Sequence, residues 1–342
     1  MTAGLSPQNR TQVFIDLGNL LRNLDAEEKE TLFRRAHNQN TWFTPISMET
    51  ALAGLSAMLA KETLELWLAK YTFPENTVAK KVGILMAGNI PGVGFHDLMC
   101  VLLSGNIAVV KLSSSDSFFS SWLIDRLIQL EPELGDFIQI EEMLKGMDAY
   151  IATGSDNSAR YFNYYFGKYP SVIRANRTSV AILTGDESEA ELEKLGLDIF
   201  LYFGLGCRNV SKIFVKNAAQ LTHLLDILER YSWVAQNHKY VNNYEYNKSI
   251  YLVNREPHLD NGFLILKESN ELVSPIAVLF YEIYEDQEAL LQTLDASASK
   301  IQCVVADPQK VPGAIAFGEA QRPAPWDYAD NVDTLNFLLG LN

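Results

Sequence analysis

Four short apolar runs, separated by segments of helical periodicity, constrain the fold of this chain more than any other feature. They cover residues 81–87 (KVGILMA), 107–112 (IAVVKL), 148–153 (DAYIAT) and 180–183 (VAIL). Short runs without polar alternation predict strands that are buried on both faces of a sheet. The segments 96–103 and 118–130 lie between them, and 13–24 and 48–71 precede them, all with helical spacing of apolar residues. This alternation predicts right-handed crossovers and an α/β fold on a mostly parallel sheet.

A second α/β stretch follows an acidic segment, residues 185–195 (GDESEAELEKL), in which Asp186 or Ser188 is expected to cap a helix. The Asn- and Tyr-rich stretch 236–248 predicts a polar surface connection, with a substrate loop as the alternative. The remaining segments predict a helix at 218–231 and strands at 211–215, 249–253 and 275–284. We therefore expect two α/β lobes with parallel-type sheets and a cleft between them.

Charge and cysteine content limit the partners and the compartment. The net charge of −14 opposes binding to nucleic acid and to anionic membrane surfaces. The longest apolar stretch, 98–110, is interrupted by polar residues, and the N-terminus lacks a signal-peptide pattern, so no membrane insertion is expected. An odd number of scattered cysteines, three in all, argues against a disulfide framework and for a cytoplasmic protein.

Cys207 is the strongest candidate nucleophile. Gly204 and Gly206 precede it and permit a tight turn that leaves the thiol uncrowded, and Arg208 follows it, where a cation favours the reactive thiolate. It falls on a connection between predicted elements, where reactive groups concentrate. The alternative is a small buried apolar residue, which is the interpretation favoured for Cys100 and Cys303.

Two turns at the ends of predicted strands could also serve chemistry. Asn89 follows the first strand, where its amide could donate to an oxyanion or could simply form a turn. Thr153, Gly154 and Ser155 join a strand to a helix, a place suited to phosphate or to ordinary helix capping. Neither turn has the G-x-G-x-x-G fingerprint, and no GxSxG elbow is present. The five histidines show no metal-ligand spacing, so no metal site is expected.

Taken in chain order, these motifs resemble the aldehyde dehydrogenase superfamily. The closer resemblance is to LuxC-type acyl-CoA reductases, the fatty-acid reductase component first known from bacterial luminescence. It is carried by KVGILMAGNIPGVGFHDLMCVLLSGNIAVVKLSSSD, by IATGSDNSARYF, and by FGLGCRNVSKIFV, with Glu271 ahead of Ser274 and Pro275. It covers the chain from about residue 82 to residue 275 and extends less securely to the tail. The resemblance implies an aldehyde-dehydrogenase-like fold.

The resemblance also implies a role for each matching residue. Cys207 would attack the acyl carbonyl, and Asn89 would form the oxyanion hole with the backbone N–H of Cys207. The remaining residues would contact the nucleotide cofactor: the turn at Thr153, Gly154 and Ser155 at the pyrophosphate, Lys111 at the adenine-side ribose, and Glu271 at the nicotinamide ribose.

One departure from the hydrolytic members bears on the reaction. Where they carry a general-base glutamate, this chain has residues 173–177 (IRANR), without a carboxylate. Because water is then poorly activated, the acyl-enzyme should exchange with a thiol, as an acyl-CoA reductase requires. Arg174 and Arg177 are candidate contacts for CoA phosphates, with surface or structural ion pairing as the alternative.

The turn after Lys111 bears on cofactor choice. Related NAD-selective enzymes often carry a glutamate shortly after this lysine, whereas this chain has Ser113, Ser114 and Ser115. Serines can bond to a ribose 2′-phosphate that a carboxylate would repel, which favours NADPH over NADH. Asp116 counts against this preference, because its carboxylate could lie nearby.

The sequence thus predicts NAD(P)H-dependent reduction of a fatty acyl-CoA to an aldehyde through a Cys207 acyl-enzyme. The alternatives are a reductase of acyl phosphates or carrier-protein thioesters, and a non-catalytic nucleotide-binding protein. We expect N-terminal helices and a cofactor domain in 1–184, a catalytic domain in 185–312, and a tail, 313–342, returning to the interface or the cofactor domain. A homodimer is the default assembly, and a partner enzyme that supplies the acyl group is left open.

Overall fold

The chain forms two compact units. A computed structural model describes residues 5–74 and 78–341. The first unit combines Met1–Asn176 with Pro323–Asn342, and the second is Arg177–Arg322. The domain boundaries predicted from the sequence lie after residues 184 and 312, whereas the two units meet after residues 176 and 322.

The first unit opens with four helices, α1 (Pro7–Arg22), α2 (Ala26–Gln39), α3 (Pro45–Met58) and α4 (Lys61–Leu68). Helix α1 confirms the prediction for 13–24, whereas the predicted helix 48–71 is two helices that break at Leu59 and Ala60. Helix α2 was not predicted, because only Leu32 and Ala36 on it are buried and its apolar stripe is correspondingly short. A capping box between Asp25 and Glu28 fixes where it begins.

A five-stranded parallel sheet follows. Its strands and helices alternate along the chain: β1 (Lys81–Leu85), α5 (Phe95–Leu103), β2 (Ile107–Lys111), α6 (Ser117–Leu130), β3 (Ile138–Ile140), β4 (Ala149–Thr153), α7 (Asp156–Phe166) and β5 (Ser171–Arg174). The strand order is β3-β2-β1-β4-β5, and every neighbouring pair is parallel. The three strands predicted in this part of the chain are confirmed. Since β1 lies between β2 and β4, the topological switch point falls at the carboxyl ends of β1 and β4.

The second unit has its own α/β layer structure. Its elements are β6 (Thr178–Ile182), α8 (Glu189–Phe200), β7 (Val210–Val215), α9 (Ala219–Leu228), α10 (His238–Asn254), β8 (Leu259–Asp260), β9 (Ile265–Glu268), β10 (Val278–Ile283), α11 (Gln287–Ala296) and β11 (Ile301–Val305). The sheet order is β11-β6-β7-β10-β9-β8, parallel except for the edge strand β8. Ser188, one of the two predicted caps, begins α8 through a capping box with Glu191.

Helix α10 overturns two predictions. Residues 249–253 were expected to be a strand and 236–248 a connection, yet both lie mainly in one helix that Asn237 caps. The buried residues of α10 recur at helical spacing: Tyr240, Tyr244, Asn247 and Tyr251. Packing of this stripe outweighs the local β preference of Ile250, Tyr251 and Val253.

The C-terminal segment packs within the first unit. Its helix α12 (Thr334–Leu339) accepts a hydrogen bond at the Leu338 carbonyl from Asn106 Nδ2 at 3.3 Å. Upstream, the Tyr328 hydroxyl accepts from Trp67 Nε1 at 2.9 Å. Across the described residues, none of the helices combines the length and the apolar character needed to cross a bilayer.

Candidate functional site

The switch point of the first sheet gathers the predicted cofactor and oxyanion residues of that unit. Asn89 is exposed on the loop that follows β1, and Thr153 ends β4. Lys111 is the exposed last residue of β2, in register with Leu85 at the end of β1. Because carboxyl ends of parallel strands meet at one edge, the fold brings these three residues to the same edge of the sheet.

The loop after β1 lies directly against the turn after β2. A Cβ atom on Gly88 would stand 2.4 Å from Ser113 Oγ, so only glycine permits this approach. Gly92, in the left-handed region at φ 68°, donates its N–H to Asp116 Oδ2 at 2.9 Å. The loop that carries Asn89 is therefore packed and hydrogen-bonded against the turn of Ser113, Ser114 and Ser115, called the serine turn below.

Asp116 points into the protein rather than out from this turn. Its side chain is buried, and Oδ2 also accepts from the Ser120 hydroxyl at 3.1 Å. Burial raises the pKa of this carboxyl to about 7, and the bonds from Gly92 and Ser120 oppose that rise. The Asp116 carboxylate, which from the sequence counted against NADPH, is thus buried and bonded to Gly92 and Ser120.

Replacing Asp116 with Asn should remove a pH dependence of stability. The pKa of Asp116 is higher in the folded state than in the unfolded state. The protonated carboxyl therefore stabilises the fold fully below the unfolded pKa, and this stabilisation is lost as pH rises toward about 7. Near pH 4 the variant and the wild type should have similar free energies of unfolding. Above that, the free energy of unfolding of the variant should exceed that of wild type by roughly 1.4 kcal/mol more for each pH unit, up to about pH 7. Denaturant titrations at several pH values measure the difference, and identical pH profiles for the two proteins would contradict it.

The turn after β4 is shaped by close packing. A Cβ atom on Gly154 would lie 2.8 Å from Ser158 Cβ and 2.9 Å from Phe162 Cε2, so glycine lets the turn lie against α7. Ser155 caps α7, its Oγ accepting the Ser158 N–H at 3.2 Å. The capping role left open by the sequence is therefore present, and the exposed Ser155 stands at the first turn of the helix.

Arg174 is a structural residue. Its Nη1 donates to both carboxylate oxygens of Asp97, at 2.9 and 2.7 Å, and its Nη2 donates to Thr334 Oγ1 at 2.7 Å. With the side chain only 4% exposed, the guanidinium is not available to a CoA phosphate on the surface. The structural ion pair that the sequence left open as the alternative for Arg174 is therefore present. Arg177 is half-buried and donates to the carbonyl of Ile301 at 3.3 Å.

Cys207 occupies a closed β-turn in the second unit. The Asn209 N–H donates to the Gly206 carbonyl at 3.0 Å, so Cys207 and Arg208 are the two central residues of the turn. The turn precedes β7 and leaves Cys207 half-buried. Ser179 Oγ donates to the Cys207 carbonyl at 3.1 Å. The predicted placement on a connection is confirmed.

Left-handed backbone just ahead of this turn was missed by the sequence analysis. Tyr202 and Phe203 have φ values of 56° and 58°, and Gly204 follows at 77°. A bulky non-glycine residue rarely adopts this conformation, and strain of this kind concentrates at functional sites. In the sequence only Gly204 indicated a left-handed conformation, because aromatic residues such as Tyr202 and Phe203 do not favour one.

The other two cysteines differ in environment. Cys100 is fully buried in α5, and burial raises the pKa of its thiol well above the usual value, in keeping with an apolar packing role. Cys303 is half-buried on β11, with its Sγ 3.0 Å from Ser179 Oγ.

Glu271 is exposed on the connection between β9 and β10. Ser211 Oγ, at the start of β7, donates to the Leu272 carbonyl at 2.6 Å. The residue after Glu271 is thus held beside the strand that follows the Cys207 turn, and both candidate residues belong to neighbouring parts of the second unit.

The fold matches solved structures, among them several aldehyde dehydrogenases. KauB from Pseudomonas aeruginosa superposes with a TM-score of 0.65 at 14% identity, covering 88% of this chain and 76% of that one. An NADP-dependent enzyme from E. coli gives 0.63 at 14% identity over 92% and 77% of the two chains. The Mycobacterium tuberculosis aldehyde dehydrogenase complexed with NAD+ gives 0.63 at 13%, over 90% and 74%.

The sequence itself matches one family model. No curated protein matches the chain significantly. The model for the acyl-CoA reductase family LuxC matches residues 56–230, more than half of the chain, including β1, the turn after β4 and the Cys207 turn. This chain is therefore an oxidoreductase of the LuxC family of acyl-CoA reductases, with the fold of the solved aldehyde dehydrogenases.

Proposed function

We propose that this chain reduces a fatty acyl-CoA to the aldehyde with NADPH, through an acyl-enzyme on Cys207. The observation that carries the proposal is the turn that presents Cys207. The Cys207 side chain is half-buried, Cys207 is the first central residue of the turn, and left-handed backbone precedes the turn. A thiol that served only packing would not require such a turn.

In the first half-reaction, the Cys207 thiolate attacks the thioester carbonyl carbon. A bond forms between Sγ and that carbon, the bond from the carbon to the CoA sulfur breaks, and CoA leaves as the thiolate and takes up a proton. The acyl group is then held on Cys207 as a new thioester.

In the second half-reaction, the acyl carbon of this thioester is reduced. NADPH, when bound, supplies the hydride. Asn89 and the backbone N–H of Cys207 are the proposed donors to the oxyanion that develops on the carbonyl oxygen. Collapse of this intermediate breaks the bond to Sγ, releases the aldehyde and restores the Cys207 thiolate.

The segment 173–177 supports transfer to CoA rather than hydrolysis. It has no carboxylate, and Arg174 within it is engaged by Asp97. Without a general base, water competes poorly for the acyl-enzyme. This supports reversible exchange with the CoA thiol.

The first unit has the features that a dinucleotide requires. Glycine at 88 and at 154 keeps the two strand-end turns free of Cβ atoms that would collide with their neighbours. Backbone N–H groups at the start of α7 would receive the pyrophosphate, with Thr153 and Ser155 beside them. Lys111 would bond the adenine-side ribose, and Glu271, which belongs to the second unit, would bond the nicotinamide ribose.

The serine turn supports NADPH. Ser114 and Ser115 are exposed, Ser113 is half-buried, and the Asp116 carboxylate is turned inward. A 2′-phosphate at this turn would therefore meet hydroxyl groups without facing a surface carboxylate, which supports NADPH as the preferred reductant over NADH.

Placing a carboxylate at Ser114 should reverse this preference. The Ser114→Glu variant should raise KM for NADPH by roughly 10- to 100-fold, or about 1.4–2.8 kcal/mol, because the new carboxylate repels the 2′-phosphate, and it should leave KM for NADH nearly unchanged. Ser114→Gln is the matched neutral control. Initial rates with both cofactors measure the effect, and equal changes for NADPH and NADH would contradict the proposed 2′-phosphate contact.

The proposed function is tested by the oxidation of NADPH and NADH with a panel of substrates. Acyl-CoAs of increasing chain length, acyl phosphates and carrier-protein thioesters are compared, and the aldehyde product is measured directly. Oxidation matched by aldehyde only with acyl-CoAs supports the proposal. Preference for acyl phosphates or carrier-protein thioesters would replace the substrate class, and no oxidation with any of them would favour a non-catalytic nucleotide-binding protein.

A further inference from the structure

We infer that Asn209 is the positioning residue that holds Cys207 in its reactive geometry. This inference rests on the proposed role of Cys207 as the nucleophile. Asn209 itself is 2% exposed and therefore has no surface from which to contact a substrate. Its effect must act through the backbone of the Cys207 turn.

Asn209 closes the turn from two directions. Its Oδ1 accepts the Gly206 N–H at 2.9 Å, and its own backbone N–H donates to the Gly206 carbonyl at 3.0 Å. Both polar groups of the residue immediately before Cys207 are thus fixed by Asn209. The orientation of the peptide that leads into Cys207 follows from these two bonds.

The other end of the Asn209 side chain secures the end of α8. Nδ2 donates to the carbonyls of Asp198 at 3.0 Å, Ile199 at 3.3 Å and Leu201 at 2.7 Å. Carbonyls in the last turn of a helix have no partner within the helix, and here the buried Asn209 amide supplies a donor to them. A single amide therefore joins the end of α8 to the Cys207 turn.

These contacts span the strained segment. Leu201 lies just before the left-handed residues Tyr202, Phe203 and Gly204, and Gly206 lies just after them. A left-handed conformation is unfavourable for a non-glycine residue. The Asn209 side chain holds both ends of this segment, so its loss lets the segment relax and displaces Cys207.

The far side of the turn is held by further bonds that other residues make. Arg208 Nε donates to the Ala320 carbonyl at 2.5 Å, and the Ala320 N–H donates to Asp198 Oδ1 at 3.0 Å. Ser179 fixes the Cys207 carbonyl. Because Asn209 makes none of these bonds, we expect its replacement to displace Cys207 locally rather than to unfold the unit.

The test compares Asn209→Ala and Asn209→Ser with Asn247→Ala. Asn247 is also a buried amide of the second unit, but its Nδ2 donates to the Ile276 carbonyl at 3.0 Å, away from the Cys207 turn. For each protein we would measure the melting temperature, kcat and KM with acyl-CoA and NADPH, and the rate of Cys207 alkylation by iodoacetamide across pH, with the modified cysteine identified by peptide mass.

We expect both Asn209 variants to lower kcat by roughly 10- to 100-fold, the scale expected for a displaced reactive group, with the serine variant retaining more activity. KM for NADPH should change little, and the pH profile of Cys207 alkylation should shift. Asn247→Ala should lower the melting temperature without changing kcat or the alkylation profile. Asn209→Ser, the milder replacement, is measured below its melting temperature if the alanine variant fails to fold.

Asn209 variants that melt earlier but keep the wild-type kcat and alkylation profile would overturn the inference, leaving Asn209 as a helix cap only. Failure of the proposed function is distinguishable from this outcome, because it would be seen in the wild-type protein as the absence of acyl-CoA-dependent oxidation.

Discussion

The Cys207→Ala variant should lose acyl-CoA-dependent oxidation of NADPH by about four orders of magnitude or more, to the level of the uncatalysed background. The reason is that no acyl-enzyme can form once Sγ is removed, and loss of a covalent nucleophile has effects on this scale in other enzymes. NADPH absorbance and aldehyde formation measure the loss. Mass spectrometry of the wild-type protein mixed with acyl-CoA alone should show the acyl group on the peptide that contains Cys207.

Two controls separate chemistry from folding in this experiment. Cys100→Ala removes a thiol that is fully buried in the first unit, and it should reduce stability while keeping acyl-CoA reduction. Cys207→Ala should bind NADPH as wild type does, because the proposed cofactor contacts lie mainly on the other unit. Reduction that survives in Cys207→Ala at a comparable rate would exclude the acyl-enzyme mechanism.

The first sheet was predictable where strands are apolar throughout. Strands β1, β2 and β4 lie in the middle of the sheet, so both of their faces are buried and their sequences are continuous apolar runs. The edge strands β3 and β5 were missed, since they have only three and four residues and are partly exposed. A sequence window cannot distinguish so short a strand from a loop.

In the second unit, helix α10 could not be predicted from local sequence. Residues 249–253 have the composition of a strand, and only the burial of Tyr240, Tyr244 and Asn247 upstream shows that a single helix continues through them. Tertiary packing of these buried residues decides between helix and strand, and local propensity carries no information about that packing. Residues 236–248, polar enough to suggest a connection, belong mainly to the same helix for the same reason.

The candidate site was predicted as a set of residues but without its supports. Motif order identified Cys207, Asn89 and the strand-end turns, because each sits at a fixed place relative to a strand. The side chains that hold them are recognisable only in three dimensions. Asn209 contacts carbonyls eight to eleven residues away, and Asp116 binds Gly92 at a separation of 24 residues. Arg174 was assigned to either CoA or an ion pair until its contact with Asp97 was seen.

The Asn89→Ala variant should lower kcat with acyl-CoA by roughly 100- to 1,000-fold, the usual cost of removing one donor from an oxyanion hole. KM for NADPH should stay near the wild-type value, because the loop that carries Asn89 is fixed by Gly88 against Ser113 and by Gly92 against Asp116, and neither contact involves the Asn89 side chain. Steady-state kinetics with acyl-CoA and NADPH varied in turn measure both constants.

The chemistry of the side chain at position 89 can be tested without changing its size. Asn89→Asp keeps the shape but replaces the donating amide with a carboxylate, which would repel the oxyanion, so it should be at least as impaired as the alanine variant. Because an oxyanion develops in both half-reactions, Cys207 acylation by acyl-CoA alone should slow together with the reduction step. If Asn89→Ala and Asn89→Asp instead acylate and reduce at the wild-type rates, the oxyanion hole must be built from backbone donors alone, with Asn89 forming only the turn after β1.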